Sequence, residues 1–313
     1  MWKASAPSNI ALIKYMGKES AVGNVAVNPS LSMTLSAFLT NVEIEPISGG
    51  EDRWEPLPSS APLRAESTKR FVNFFTRIKQ EREIAGSFLI RSGNNFPSDA
   101  GLASSASSFA ALTMAAFQAF ASVSGKPSPS LSEQAMVSRT GSGSSCRSFF
   151  SPWCAWEARE IGPVPSRLPD LTDLVAVIDS GFKKISSSEA HKRVQASALF
   201  EGRPERASTR QREIKTAMAS GDLKRTAEIA WAELWDMHSL FHTASPPFFY
   251  FSPLSLAVLR WAERSWEETG TGPITTVDAG PNVHLLVPTA EKDRWRRELL
   301  AAVPGISLLE SRA

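Results

Sequence analysis

Residues 94–108 read Asn-Asn-Phe-Pro-Ser-Asp-Ala-Gly-Leu-Ala-Ser-Ser-Ala-Ser-Ser and pass directly into an apolar segment of helical period. Few arrangements suit such a run. Small residues at Ala100, Gly101, Ala103, Ser104 and Ser105 let a backbone approach an anion closely, and a helix that follows aims its first amides and positive dipole end at it. Ser104 and Ser105 add hydroxyl donors. Residues 87–90 read as a strand entering the run. Leu102, Phe109, Leu112, Phe117 and Phe120 mark the core face of the helix leaving it, up to a stop at Ser124-Gly125-Lys126-Pro127. Strand, small-residue turn and helix are the order of a phosphate cradle. The same residues also suit a plain helix start capped by Ser98 or Asp99, and the run by itself leaves both readings standing.

At 313 residues, with 42% hydrophobic and 21% charged residues, the chain has room for two ordinary domains and a sizeable core. A balance of 34 basic and 32 acidic residues gives no reason to expect nucleic acid or an anionic membrane as the main partner. The two cysteines, Cys146 and Cys154, lack zinc-site spacing, and a reducing, cytoplasmic setting is expected. The apolar stretch at residues 10–13 is cut by Lys14 and cannot serve as a signal-peptide core, and no span is expected to reach the length of a membrane helix.

Alternation and helical spacing divide the rest of the chain. Residues 2–13 suggest short strands with a bend at Pro7-Ser8-Asn9, and Leu31, Met33 and Leu35 suggest a half-buried strand with a hairpin partner at Val42 and Ile44. Residues 49–66 hold three prolines and several charges and read as an exposed loop. Phe71, Phe74, Phe75 and Ile78 mark a helix, and another at residues 132–139 runs into Thr140-Gly141-Ser142-Gly143-Ser144-Ser145-Cys146-Arg147-Ser148. Residues 174–178 read as the buried strand that opens a second domain. Helices follow at about 189–199, with a serine cap near Ser186, and at 211–219 after a charged segment at 201–213. Further helices at 223–241 and 254–268 precede strands at 274–277 and 284–287 around Asp278-Ala279-Gly280-Pro281-Asn282, then a helix from Glu291 and a last strand near Ile306.

Isolated polar residues are ambiguous in this reading. His238 and His242 are spaced to share a helix face and a metal, but no third ligand is evident and packing is the better account. Cys146 beside Arg147 has the neighbour of an activated thiolate in a serine-rich setting that argues weakly for it. Lys14 and Lys18 flank Tyr15 at a bend, either as solvated lysines or as an anion site. Asp278 lies in a run with the composition of a turn.

Taken together the motifs resemble one family, the ATP-dependent mevalonate diphosphate decarboxylases of the GHMP kinase superfamily. The matching stretches are Ala6-Pro7-Ser8-Asn9-Ile10-Ala11-Leu12-Ile13-Lys14-Tyr15-Met16-Gly17-Lys18, Asn28-Pro29-Ser30-Leu31-Ser32, Asn95-Phe96-Pro97 through Gly101-Leu102-Ala103-Ser104-Ser105-Ala106, residues 138–148, and Val277-Asp278-Ala279-Gly280-Pro281-Asn282. Lys183-Lys184-Ile185-Ser186-Ser187 is a weaker match.

The resemblance implies a two-domain α+β fold. Residues 1–170 would form an N-terminal, ATP-binding domain similar to the second domain of ribosomal protein S5, and residues 171–313 a ferredoxin-like C-terminal domain. It further implies a homodimer and the cofactors ATP and magnesium. Pro97, Gly101, Leu102, Ala103, Ser104 and Ser105 would hold ATP phosphates, with Ser104 and Ser105 near the metal. Asp278 would take the proton of the substrate's tertiary hydroxyl, Lys14 would offset charge beside it, and Arg147 would hold the substrate carboxylate. Asn9, Tyr15, Lys18, Ser142, Ser144 and Ser187 would bind the phosphate end.

The implied reaction is ATP-dependent decarboxylation of mevalonate diphosphate to isopentenyl diphosphate. A phosphomevalonate decarboxylase, a mevalonate 3-kinase and a non-catalytic phosphate-binding protein are the alternatives. The chain departs from the family pattern at Met16, Ser188, Ala190-His191 and Asp99, and the neutral Ser188 leaves a singly phosphorylated substrate open.

Overall fold

The computed structural model describes residues 1–20, 22–58, 60–97, 102–178 and 185–312. Ser98, Asp99, Ala100 and Gly101 of the expected cradle, and Lys183 and Lys184, lie outside the described residues. In chain order the first half comprises β1 (Trp2–Ile13), β2 (Lys18–Ser20), β3 (Val25–Ala26), β4 (Ser30–Ile47), β5 (Arg53–Pro56), α1 (Ala65–Glu81), β6 (Ser87–Asn94), α2 (Ser104–Ser124), α3 (Leu131–Arg139), β7 (Trp153–Glu157) and β8 (Glu160–Pro163). The second comprises β9 (Leu171–Val177), α4 (Ser187–Arg193), α5 (Arg203–Ser220), α6 (Leu223–His242), α7 (Pro253–Thr269), β10 (Ile274–Thr276), β11 (Val283–Pro288), α8 (Lys292–Ala302) and β12 (Ser307–Arg312).

The first sheet runs in the order β5-β6-β4-β7-β8, with β1 also paired to β4. The expected bend at Pro7 is instead a register shift within one continuous strand, where β1 steps along its antiparallel partner between Pro7 and Ser8. A proline costs one ladder hydrogen bond, and an irregularity absorbs that loss without ending the strand. The expected hairpin between residues 31–35 and 42–44 is likewise one long strand. Residues 30–35 of β4 are buried throughout, and beyond Ala37 burial alternates, so one strand carries two hydrophobic patterns because its first part is covered on both faces. Within the expected 49–66 loop, β5 pairs in parallel with β6.

Helix α2 lies in the N-terminal core, where Ala110, Ala111, Ala115, Ala116 and Ala119 are fully buried. By length and composition it meets the standard of a membrane-crossing helix, contrary to the sequence expectation, but most of it is buried within the fold. Alanines let it lie close to β1 and β4, while Phe109, Phe117 and Phe120 fill the space toward α1.

The second sheet is antiparallel in the order β10-β11-β9-β12. Numbered within the domain this is strand order 2-3-1-4 with helices in the two crossovers, the ferredoxin-like arrangement. Helices α4–α7 all fall in the first crossover. Residues 189–199 are helical only to Arg193 before a short 3₁₀ turn, and α5 begins at Arg203, inside the segment expected to be merely charged.

The two halves share a hydrophobic core in which Ile10, Leu12 and Met33 meet Ala207, Ile214 and Met218 of α5 and Ile229 of α6. A polar clamp crosses the same boundary. The Lys14 amide donates to Glu233 Oε1 at 2.9 Å, and the Lys14 carbonyl accepts from Arg203 Nη2 at 3.2 Å and Asn28 Nδ2 at 2.8 Å. Arg203 and Glu233 pair with each other and are wholly buried. Such a pair is expensive to break one-sidedly, because the surviving charge cannot regain its hydration. Arg203→Met is therefore expected to lower unfolding free energy by about 3–5 kcal/mol. Urea denaturation showing a loss below about 1 kcal/mol would mean that Arg210 and the Lys14 amide suffice to hold Glu233.

Candidate active site

A cavity of about 390 Å³ opens between the two halves. Its walls include Asn9, Lys14, Tyr15, Lys18, Ala103, Ser105, Ser142, Ser144, Arg147, Ser187 and Asp278, so residues far apart in the chain meet there. At its centre Lys14 Nζ lies 2.6 Å from Asp278 Oδ1. Lys14 comes from the end of β1 and Asp278 from the turn between β10 and β11. Thr276 ties these elements together by donating to the Ala11 carbonyl at 3.0 Å.

The pair is asymmetric. Lys14 has a 2% exposed side chain, whereas 30% of Asp278 faces the cavity. Burial lowers the Lys14 pKa despite the opposing pull of Asp278. Burial also pushes the Asp278 carboxyl upward, but the charge and hydrogen bond of Lys14, with His284 and Arg147, hold it below its ordinary value. The result is an ionised carboxylate that is accessible on one side, held by a cation on the other.

Arg147 is buried and held by hydroxyls and an amide: Nη1 donates to Ser30 Oγ at 2.8 Å, Nε to Ser32 Oγ at 3.2 Å and Nη2 to Asn9 Oδ1 at 3.4 Å. Asn9 Nδ2 donates in turn to Ser148 Oγ at 2.8 Å and the Ser144 carbonyl at 3.3 Å. This explains the Asn9, Ser30 and Ser32 motifs as supports for one guanidinium. The neighbouring Cys146 is no activated nucleophile, since burial pushes its thiol up to about 11. His238 is buried against Phe251, ring centroids 4.1 Å apart, and burial takes it down to about 3. No cluster of three metal-binding His, Cys, Asp or Glu side chains occurs among the described residues.

At the opposite end of the cavity, Lys18 Nζ bonds Asn24 Oδ1 at 2.7 Å, and Asn24 Nδ2 is anchored on the Arg139 carbonyl at 2.8 Å. Burial lowers the Lys18 pKa, and Arg70 and Lys192 lower it further. Arg70 projects from α1, donates to the Gly141 carbonyl at 2.6 Å and lies over the Phe109 ring. Cations that depress one another in this way favour an anion between them. Tyr15 fits beside them because Gly143 carries no side chain: a Cβ there would lie 2.4 Å from the Tyr15 ring.

The cradle residues divide. Ala103 and Ser105 reach the cavity, and Ser105 Oγ lies 3.2 Å from Ser142 Oγ. Ala103, in the left-handed region at φ 48°, begins α2 without a side-chain cap, leaving the first turn open to an anion rather than to its own residues. Ser104 stands beside Ser105 in that turn. Leu102 is buried in the core, its carbonyl accepting from the Ser8 hydroxyl, and Pro97 is exposed away from the cavity walls.

Several lining residues escaped the sequence reading. Arg70 and Met237 carry no signal beyond ordinary helix composition, Ser186 was read as a cap within the weaker family match, and the Arg203–Glu233 clamp gives none because burial of a charged segment is a tertiary event. Ser188 and His191, noted only as departures, also line the cavity.

Comparison with known proteins agrees with this geometry. Residues 6–162 match the diphosphomevalonate decarboxylase-like N-terminal domain, and residues 173–311 match the mevalonate 5-diphosphate decarboxylase C-terminal domain. The diphosphomevalonate decarboxylase of Aspergillus fumigatus is 32% identical over 92% of this chain and 76% of its own length. That of Saccharomyces cerevisiae is 30% identical over 96% and 82%. The crystal structure of a mevalonate diphosphate decarboxylase from Legionella pneumophila superposes with a TM-score of 0.91 at 44% identity, covering 98% of this chain and 99% of that one. A structure of MDDEF in complex with MVAPP, AMPPCP and magnesium superposes with a TM-score of 0.88 at 30% identity, covering 99% and 96%. With the two domain matches lying in order on either side of a cavity closed by the Lys14–Asp278 pair, the chain belongs to the diphosphomevalonate decarboxylase family.

Proposed function

We propose that this chain converts mevalonate diphosphate to isopentenyl diphosphate by ATP-dependent phosphorylation of the tertiary hydroxyl followed by loss of phosphate and carbon dioxide. The observation that carries the reading is the partly exposed, ionised Asp278 held by buried Lys14, with Arg147 on the same cavity wall. Asp278 orients the hydroxyl and accepts its proton as the oxygen attacks the transferred phosphoryl group. Lys14 balances the negative charge that gathers there. Arg147 grips the substrate carboxylate; when that group leaves as carbon dioxide, its bonding pair forms the new double bond and the phosphate departs with the electrons of the C–O bond.

Lys18, Tyr15, Ser142, Ser144 and Ser187, joined by Arg70, bind the phosphate end, with Asn9 nearby as the support of Arg147. Ala103, Ser104 and Ser105 form the ATP side of the site, and the family resemblance adds the Pro97, Gly101 and Leu102 main chain to it. Magnesium fits the oxygen chemistry of the Ser104 and Ser105 hydroxyls and the nucleotide phosphates, where it would neutralise charge on the transferred group. A cytoplasmic homodimer is the proposed setting, supported by buried thiols at Cys146 and Cys154 and by the family resemblance; sedimentation analysis tests the dimer.

Purified protein supplied with ATP, magnesium and mevalonate diphosphate is expected to release ADP and carbon dioxide in equal amounts. ADP alone would identify a kinase, and neither product would sink the enzymatic reading. Asp278→Asn is expected to retain nucleotide affinity while kcat falls by roughly 100-fold or more, since only the carboxylate's basic, charged role is lost. Near-parental turnover would remove Asp278 as the base. The lowered Lys14 pKa also sets a sign: raising pH discharges this cation sooner than an ordinary lysine. The alkaline limb of kcat is therefore expected below the usual lysine range, and Lys14→Arg, if active, is expected to move it upward. An unshifted limb in that variant would assign it to another group.

A further inference from the structure

His191 sits in α4 with its ring buried against Tyr15, centroids 4.4 Å apart, yet it reaches the cavity wall beside Lys18, Arg70 and Ser188. Its Nδ1 accepts a hydrogen bond from the Gly17 amide at 3.0 Å. An imidazole nitrogen that accepts from an N–H carries no proton, so the ring's single hydrogen is on Nε2. The Gly17 backbone makes this arrangement specific. It has φ +94°, and a Cβ there would come within 2.7 Å of the Phe200 ring, so glycine alone lets the turn present its amide here.

We propose that His191 is a specificity-determining binding residue whose Nε2–H donates to the phosphate end of the substrate as a neutral donor. The proposal rests on the reading of this end of the cavity as the phosphate pocket. Lys18 and Arg70 already bring positive charge to it, and each further cation lowers the charge-holding capacity of its neighbours. A neutral donor adds a hydrogen bond to an anion without that repulsion. Burial and the Lys18 charge keep the ring neutral, with its pKa down at about 3. His191 is not a catalytic residue in this account, because the Lys14–Asp278 pair is where the reacting oxygen is placed.

Two substitutions separate the donor from the anchor. His191→Asn places an amide oxygen near the Nδ1 position, where it can still accept from Gly17, and removes the Nε2 donor. His191→Gln places an amide nitrogen near Nε2 and gives up the Gly17 contact. The asparagine variant is expected to raise KM for the phosphorylated substrate by roughly 10- to 100-fold, with kcat and KM for ATP within about twofold of the parent. The glutamine variant is expected to keep KM within about threefold of the parent at a lower melting temperature. An unchanged substrate KM in the asparagine variant overturns the proposal.

Lys18→Ala tells the two levels apart. If it raises substrate KM while His191→Asn does not, the His191 assignment alone falls; if neither changes KM, the phosphate-pocket reading falls with it. A readout independent of turnover is available in ¹⁵N-labelled protein titrated with inorganic pyrophosphate. The His191 Nε2–H resonance is expected to move downfield, and a resonance that stays in place, or a proton found on Nδ1, refutes the donor role.

Discussion

The main chain of Lys14 is held from both sides, with Glu233 and Arg203 supplied by the other half of the molecule, and the site depends on it. Glu233 accepts from its amide, and Arg203 and Asn28 donate to its carbonyl. With the peptide fixed, the lysine side chain reaches Asp278. A buried ion pair of this kind is a poor source of net stability, since each charge loses its hydration on folding. Its value lies in geometry: an Arg–Glu pair with no water to replace it accepts one arrangement of the strand end between β1 and the α5–α6 layer. The position of the cation in the site is thereby set by residues that never touch the cavity.

From that anchor the charge pattern of the cavity follows. Asp278, the carboxylate among the described lining residues, is paired, while Lys18 and Arg70 face one another across the far end. Arg147 is hydrogen-bonded by hydroxyl and amide acceptors rather than by a carboxylate, so its guanidinium can still accept an anionic ligand as a direct partner. Folding thus accepts electrostatic cost at several points along one wall. A ligand with a carboxylate near Arg147 and phosphates at the other end relieves both costs at once. Under the proposed function this is the physical content of specificity: the site would suit a doubly anionic shape, between halves that share a core.

The fold was legible where local periodicity and tertiary burial agree. Helices α6 and α7 were placed nearly to the residue and α2 was ended at its glycine, while α1 was marked by its apolar positions alone, because each carries an apolar face. The reading failed where one element spans two environments. In β4 the buried half and the half-buried half look like two strands, and in α5 an arginine-rich first turn looks like a solvated loop until Arg203 is found sealed against Glu233. The membrane-like composition of α2 is the reverse case, a helix surrounded by protein on a soluble-looking sequence pattern.

The site shows the same division. Residue order and type alone determined which groups are chemically able to act: the small-residue run before α2, the lysine at the end of the first strand, the arginine in the serine loop and the aspartate in a glycine-proline turn. Only the tertiary structure decided which of them meet, because Lys14 and Asp278 lie at opposite ends of the chain and become neighbours through the β1–β10 contact. It also decided that Cys146 is inert, that His238 is packing, and that Arg70 and His191 line the cavity with Lys18. Burial and proximity set charge and tautomer, and neither is a property of a residue's place in the sequence.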